Sequence, residues 1–223
     1  MPLTAAKVDI DMLPSEIPVF PLTGALLLPG GQLPLNIFEP RYLAMIDAAL
    51  GAGRWLGMVQ PRDAREQTVT DVHPLFDTGC LGRITSFAET DDGRYAITLI
   101  GICRFSIQSE LEVVDGFRRI HPDFHKFTND LQPSQLNADE RNALMSTLKQ
   151  YFEGRGYDAD WPALEQTPDS VLVATMAMAC PFAAAEKQAL LEALDLSAQT
   201  QSLITILEMA SHDTVQSKDQ HRH

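Results

Sequence analysis

The chain has 223 residues, 45% of them apolar, and carries 30 acidic against 17 basic side chains for a net charge of -13. The apolar share supports a packed core and excludes wholesale disorder. The acidic excess excludes a nucleic-acid surface, whose phosphates demand a basic face, and an anionic membrane surface.

In chain order, residues 1–13 read as a mobile leader. Lys7 is accompanied by Asp9 and Asp11 and no apolar run follows, so no signal peptide is expected. Ile17, Val19 and Phe20 alternate with Pro18 and Pro21. Proline cannot donate to a ladder, so this reads as an edge or opening strand. Leu26, Leu27 and Leu28 form a short buried-strand candidate, stopped by the turn signal Pro29-Gly30-Gly31. Leu33, Leu35 and Ile37 alternate around Pro34, Asn36 and Phe38 as a second strand. At Glu39 the period changes: Pro40 suits a first helical position, Tyr42, Met45, Ile46 and Ala49 fall on one stripe, and Gly51 and Gly53 end the helix.

Leu56 to Gln60 is an apolar run ending at Pro61, and residues 62–70 form a charged loop. Gly79, Cys80, Leu81, Gly82 and Arg83 lead into a hairpin whose turn is Asp91-Asp92-Gly93. Tyr95, Ile97 and Leu99 continue it, with short strands at Arg104 to Ile107 and Leu111 to Val114. Arg118 to Phe127 is a further strand that Pro122 places at an edge. Residues 128–136 read as a linker. Asn137 with Glu140 makes a capping box for a helix whose apolar face is Leu144, Leu148, Tyr151 and Phe152, ending at Gly154. Thr167-Pro168-Asp169 opens a second helix, apolar on every side from Val171 to Cys180 and too short to span a bilayer. Ala183 to Leu194 forms a third. Ser197 caps a fourth, with Leu203, Ile206, Leu207 and Ala210 on one stripe. A polar tail follows at residues 213–223. The fold class is therefore α+β: a β-rich part at 14–127, a partly closed antiparallel sheet with one short helix, then a helical part at 137–212.

The candidates for chemistry are sparse. His121 and His125 have a spacing that would aim both at one metal on a helix, but Pro122 argues against a helix there. His212, His221 and His223 lie in or near the tail, and no metal site is expected. Cys80, Cys103 and Cys180 are odd in number and scattered, so no disulfide framework is expected and a reducing cytoplasm is the default setting. Cys103 and Cys180 read as core residues and Cys80 as the more exposed one. A catalytic thiol or hydroxyl would need Cys80 or Ser86 to meet His73. The lysines, Lys7, Lys126, Lys149, Lys187 and Lys218, sit in polar settings unsuited to a serine–lysine dyad. Asp91, Asp92, Asp158 and Asp160 occur at turns, where acids satisfy backbone N–H groups. Phe38, Tyr42 and Trp55 read as core anchors. No Gly-x-x-x-x-Gly-Lys-Ser/Thr occurs, so there is no phosphate cradle and no cofactor is expected.

Residues 16–50 pack five prolines and three glycines around short apolar runs, and this stretch resembles the opening of the Lon protease N-terminal, substrate-binding domain. The resemblance rests on Pro18, Pro21, Leu22, Leu26 to Leu28, Pro29, Gly30, Leu33, Pro34, Leu35, Phe38, Glu39, Arg41 and Tyr42. A second block, residues 77–107, is similar to the family's paired strands, with Gly79, Gly82 and a Gly-x-x-Arg-Phe at Gly101, Arg104 and Phe105. The end of the chain is similar to the family's helical part. What the resemblance implies is a stand-alone form without the ATPase and peptidase domains. It would be a non-catalytic module that binds unfolded or hydrophobic polypeptide, or a protease or chaperone partner, as an adaptor in protein quality control. Leu26, Leu28, Phe38 and Tyr42 are the expected contact residues. An exposed strand edge would accept an extended peptide, or edge prolines would block it. The alternative is a hydrolase or small-molecule-binding protein on the same scaffold, and a third reading is a scaffold or dimerisation unit. The expected state is a monomer or weak homodimer.

Overall fold

In the computed structural model, residues 9–62 and 73–220 are described, with side chains as far as Ser211. The strands are β1 (Ile17–Pro21), β2 (Gln32–Ile37), β3 (Trp55–Val59), β4 (Thr78–Glu89), β5 (Tyr95–Glu110) and β6 (Arg118–Asp123). The helices are α1 (Pro40–Gly51), α2 (Ala138–Arg155), α3 (Trp161–Gln166), α4 (Asp169–Ala179), α5 (Ala184–Glu192) and α6 (Leu196–Gln220). The fold is α+β.

The sheet order is β2-β5-β4-β3-β1-β6, and β5 also pairs with β6. Five strands thus close into a ring, while β2 hangs on β5. The long β5 makes this possible: residues 95–100 take β2 and residues 106–110 take β6. Closure overturns two sequence expectations. β1 is no edge strand: it lies between β3, to which it is parallel, and β6. β6 is no edge either, and Pro122 sits opposite Ile107 within the ladder. Ring closure removes edges, so proline content alone cannot locate them.

Two cores lie on alternate faces of these strands. Ile17, Val19, Leu81, Cys103, Phe105 and Ile120 belong to the smaller, with Phe124 and Phe127 from the connection that follows. Phe20, Leu56, Met58, Cys80, Ile84 and Leu99 belong to the larger, which the helices share. The register of β4 against β5 shifts between Leu81 and Gly82, leaving Ile102 as an extra residue between Gly101 and Cys103. This bulge changes the alternation along β5. Ile97 and Leu99 pack in the larger core, while Cys103 and Phe105, of the same parity, pack in the smaller. It also turns Arg104 toward the helices.

Leu26, Leu27 and Leu28 are buried but form no strand. Their backbone crosses β5 at Gly101, where Gly30 N–H donates to Gly101 O and Gly101 N–H to Gly31 O, both at 2.9 Å. A Cβ on Gly101 would stand 2.0 Å from Leu28 O, and one on Gly82 would stand 2.8 Å from Leu27 Cδ2. Both signature glycines therefore let the leucine segment lie directly on the sheet. Gly79 plays the same part for Phe105, whose ring tip would be 2.4 Å from an added Cβ. In α1, Pro40 stands at the start as expected, and Tyr42, Met45, Ile46 and Ala49 are buried. The Tyr42 ring packs on Phe20 at 4.5 Å. The β4–β5 turn forms at Asp91-Asp92-Gly93, with Gly93 at φ 76°.

In the helical part, Asn137 and Glu140 make the expected capping box. α2 runs past Gly154 to Gly156, whose left-handed backbone ends it. α3, capped by Asp160, is an element the sequence reading missed. α4 buries Leu172, Val173, Ala174, Met176 and Ala177 but exposes Thr175 and Ala179. α6 is capped by Asp195 rather than Ser197, and it continues to Gln220 through residues read as a polar tail. Ile10–Met12 is a short 3-10 helix, with Ile10 and Leu13 packed on the smaller core, not part of a mobile leader. Leu111 to Val113 form no strand. The loop expected at 62–70 lies, beyond Arg62, outside the described residues.

Candidate functional site

Two clusters each hold one signature residue, Arg104 and Phe38, and they differ in exposure. The first joins β5 to the helices. Arg104 is 2% exposed. Its Nε and Nη2 donate to the two Asp130 oxygens at 2.9 and 2.7 Å, and its backbone N–H adds a third bond to Asp130 at 2.9 Å. Nη1 donates to the carbonyls of Leu191, at 3.1 Å, and Ala193; Nη2 reaches Leu194 O at 3.5 Å. The last carbonyls of a helix have no partner within it, and its C-terminal end favours a cation. Arg104 therefore caps α5 from the sheet. Asp130 belongs to a 3-10 helix, His125–Leu131, inside the segment read as a linker. The signal for this joint was present in the sequence: an arginine between Cys103 and Phe105 in a buried strand demands a buried acid.

The second cluster lies where β2, the β4–β5 hairpin and α1 meet. Phe38 is 61% exposed and Phe87 38%. Phe87 packs edge-on against Tyr95, centroids 4.9 Å apart. Arg94 lies over the Phe38 ring at 5.7 Å and is paired with Asp92 at 2.9 Å. Tyr95 stands opposite Ile37, and the nearby Asp47 carboxylate raises the phenol's pKa. Phe38 is thus a surface residue, contrary to its reading as a core anchor. It leaves β2 one residue past the ladder, before the backbone turns into α1.

The other expected contact residues are not available to a ligand. Leu26, Leu28 and Tyr42 are in the core at 3%, 1% and 8% exposure. Glu39 and Arg41 pair with each other at 3.1 Å, and Arg41 also covers the Tyr42 ring. Pro18 pairs opposite Arg119, Pro21 ends β1 opposite Val59, and Leu22 N–H donates to Val59 O. Pro29 bridges to Gly101, and Leu33 and Leu35 are partly buried. These signature positions build the frame. Pro34 has a further consequence. Gly101 bonds toward the β2 side, so alternation makes Leu99, Ile97 and Tyr95 do the same, and their partners Leu33, Leu35 and Ile37 face inward. Gln32, Pro34 and Asn36 therefore present the outer edge of β2, and Pro34 has no N–H to offer there.

The candidate catalytic groups do not assemble. Cys80 is fully buried, not exposed, and burial pushes its thiol well up; the Cys103 and Cys180 thiols are pushed up to about 12 and about 11, also chiefly by burial. Such thiols are poor nucleophiles. Ser86 is on the exposed half of β4, six residues from Cys80 and hence roughly 20 Å along the strand. His73 stands before β4 and uses its carbonyl to accept from Arg118. Lys126 lies over Phe127, Lys149 pairs with Glu165, and Lys187 donates to Gly24 O. His121 is in β6 and His125 begins the 3-10 helix, so no helix aligns them. Among the described residues no group of three metal-ligating side chains converges.

These features define a class: an α+β domain whose signature residues serve the frame, with an exposed aromatic patch at one end of the sheet. The chain belongs to the family of ATP-dependent protease La (Lon) substrate-binding domains, whose description matches residues 16–209. It is 26% identical over 215 residues to the Lon protease of Elusimicrobium minutum, covering 90% of this chain and 24% of that protein. Against the Lon protease of Desulfosudis oleivorans it is 22% identical over 153 residues, 69% of this chain and 18% of that one. The chain thus spans a quarter or less of these relatives. A crystal structure of a Lon N-terminal domain protein from Xanthomonas campestris superposes with a TM-score of 0.63 at 20% identity, covering 85% of this chain and 97% of that one. The N-terminal domain of a Mycobacterium avium complex Lon protease gives 0.63 at 19%, covering 86% and 98%. No described helix is long and apolar enough to cross a membrane.

Proposed function

We propose that this chain is a non-catalytic polypeptide-binding module that holds extended apolar segments on the Phe38, Phe87 and Tyr95 patch and serves as an adaptor in protein quality control. The supporting observation is the exposure of Phe38 and Phe87 at one end of the sheet: two phenylalanines left at the surface, Phe38 against Arg94 and Phe87 against Tyr95. Contiguous exposed apolar surface marks partner sites, and aromatic rings give large contact area at low entropic loss. The mode is side-chain docking rather than strand addition, because Pro34 removes the central donor from the outer edge of β2.

The test is fluorescence anisotropy with a panel of labelled unstructured peptides, without nucleotide. Peptides rich in Leu, Phe and Tyr should bind, and polar peptides of the same length should not. Absence of binding across the whole panel would overturn the proposal.

A further inference from the structure

The border of the aromatic patch is acidic. The two segments that carry these rings, residues 38–47 and 86–95, hold Glu39, Asp47, Glu89, Asp91 and Asp92 against Arg41 and Arg94. Both arginines already hold an acid of the border, Arg41 on Glu39 and Arg94 on Asp92. Among the described residues, Glu89 and Asp91 meet no cation within ion-pair distance. All of these carboxylates are tied to the rings by the fold. Glu89 stands opposite Tyr95 in the ladder, Asp47 lies close enough to raise the Tyr95 pKa, Asp91 and Asp92 form the turn before Arg94, and Glu39 follows Phe38. The Thr90 hydroxyl donates to Asp92 and holds its carboxyl below the usual range, so this part of the border stays ionised through neutral pH.

An apolar centre with uncompensated negative charge around it selects by two terms. The rings reward an apolar side chain removed from water. The border rewards a cation and penalises an anion at the edges of the same ligand. A second copy of this chain would bring the same acidic border, and a net charge of -13, against itself. The charge therefore argues against self-association through this face and in favour of a basic partner.

Resting on the polypeptide-binding reading above, we infer that the patch selects segments with an apolar or aromatic centre flanked by lysine or arginine. Long basic side chains suit both requirements, since their methylene stems lie on ring edges while their charged ends reach the carboxylates.

Three labelled peptides separate the possibilities. Each carries the centre Leu-Phe-Val-Tyr-Leu, flanked on both sides by paired lysines, serines or glutamates. Anisotropy titrations at low salt should rank lysine above serine above glutamate, with lysine and glutamate differing by roughly tenfold or more. Raising the salt to about 0.5 M should bring the three together, because the Debye length then falls below the spacing of the charges. The double variant Glu89→Gln/Asp91→Asn should reduce the lysine-over-glutamate ratio by about threefold and leave the serine-flanked peptide unchanged. Equal binding of all three at low salt would overturn this inference and leave the polypeptide-binding reading standing. Failure of all three to bind would overturn both. A ratio that survives in the double variant would place the selectivity elsewhere and contradict the role given to this border.

Discussion

Arg104 and Arg94 are set in similar company and do different work. Each guanidinium pairs with an aspartate and lies over a phenylalanine: Arg104 with Asp130 and Phe127, Arg94 with Asp92 and Phe38. The first trio is sealed, with side-chain exposures of 2% for Arg104 and 8% for Asp130; the second is open, at 50% and 59% for Arg94 and Asp92. Where water is excluded, the trio joins two halves of the molecule. Where water has access, the same groups hold little structure together and stay at the surface. Burial, not residue type, assigns the role.

Removing Arg104 should break the comparison most forcefully. Arg104→Ala strands Asp130 and three carbonyls without their donor, and should lower stability by roughly 3–5 kcal/mol in urea unfolding. Arg104→Lys should recover only part of this, because one ammonium cannot reproduce the fork that meets Asp130 and the α5 carbonyls together. Arg94→Ala should leave the unfolding midpoint where it was.

Gly101→Ala should rank next. The added methyl meets Leu28 O and C, which are backbone atoms that no rotamer change can move. A loss of about 3 kcal/mol is expected, read as a lowered urea midpoint with an unchanged slope.

The cysteines sharpen the same contrast without altering stability at neutral pH. All three thiols should resist a thiol reagent at pH 8 in the folded protein and react at once in denaturant. Their folded pKa values are raised above the unfolded value, so the folded state keeps protons that the unfolded state loses. Stability is therefore intact below about pH 8.5. It should fall as the pH climbs from there toward the folded values, about 11 for Cys180 and about 12 for Cys103. Rapid labelling of native Cys80 would contradict its place in the larger core.

Much of the frame was legible because local rules agreed with one another. Asp91-Asp92-Gly93 announced its hairpin, Pro40 and the Tyr42, Met45, Ile46, Ala49 stripe announced α1, and Asn137 with Glu140 announced α2. Several misreadings share one cause, which is contact between segments distant in sequence. Pro18 and Pro122 suggested edges, but closure of the ring through β5 and β6 left them inside ladders. Leu26 to Leu28 resembled a strand, yet the segment lies against Gly101 and Gly82 as irregular chain. Asp130 looked like linker until Arg104 reached it across 26 residues. The patch was the hardest to read. Phe38 shares the outward phase of β2 with Pro34 and Asn36, so the alternation itself places it outside, and only its aromatic type suggested a core anchor.

The most direct test of the account is one paired measurement on the double variant Phe38→Ser/Phe87→Ser. Phe38 is largely exposed, while Phe87 is partly buried against Tyr95, so the variant should stay cooperatively folded with a loss of about 1–2 kcal/mol. Anisotropy with the lysine-flanked apolar peptide should show binding weakened by at least about tenfold, as loss of two aromatic anchors requires. Unchanged affinity in the folded variant would contradict the assignment of polypeptide binding to this patch.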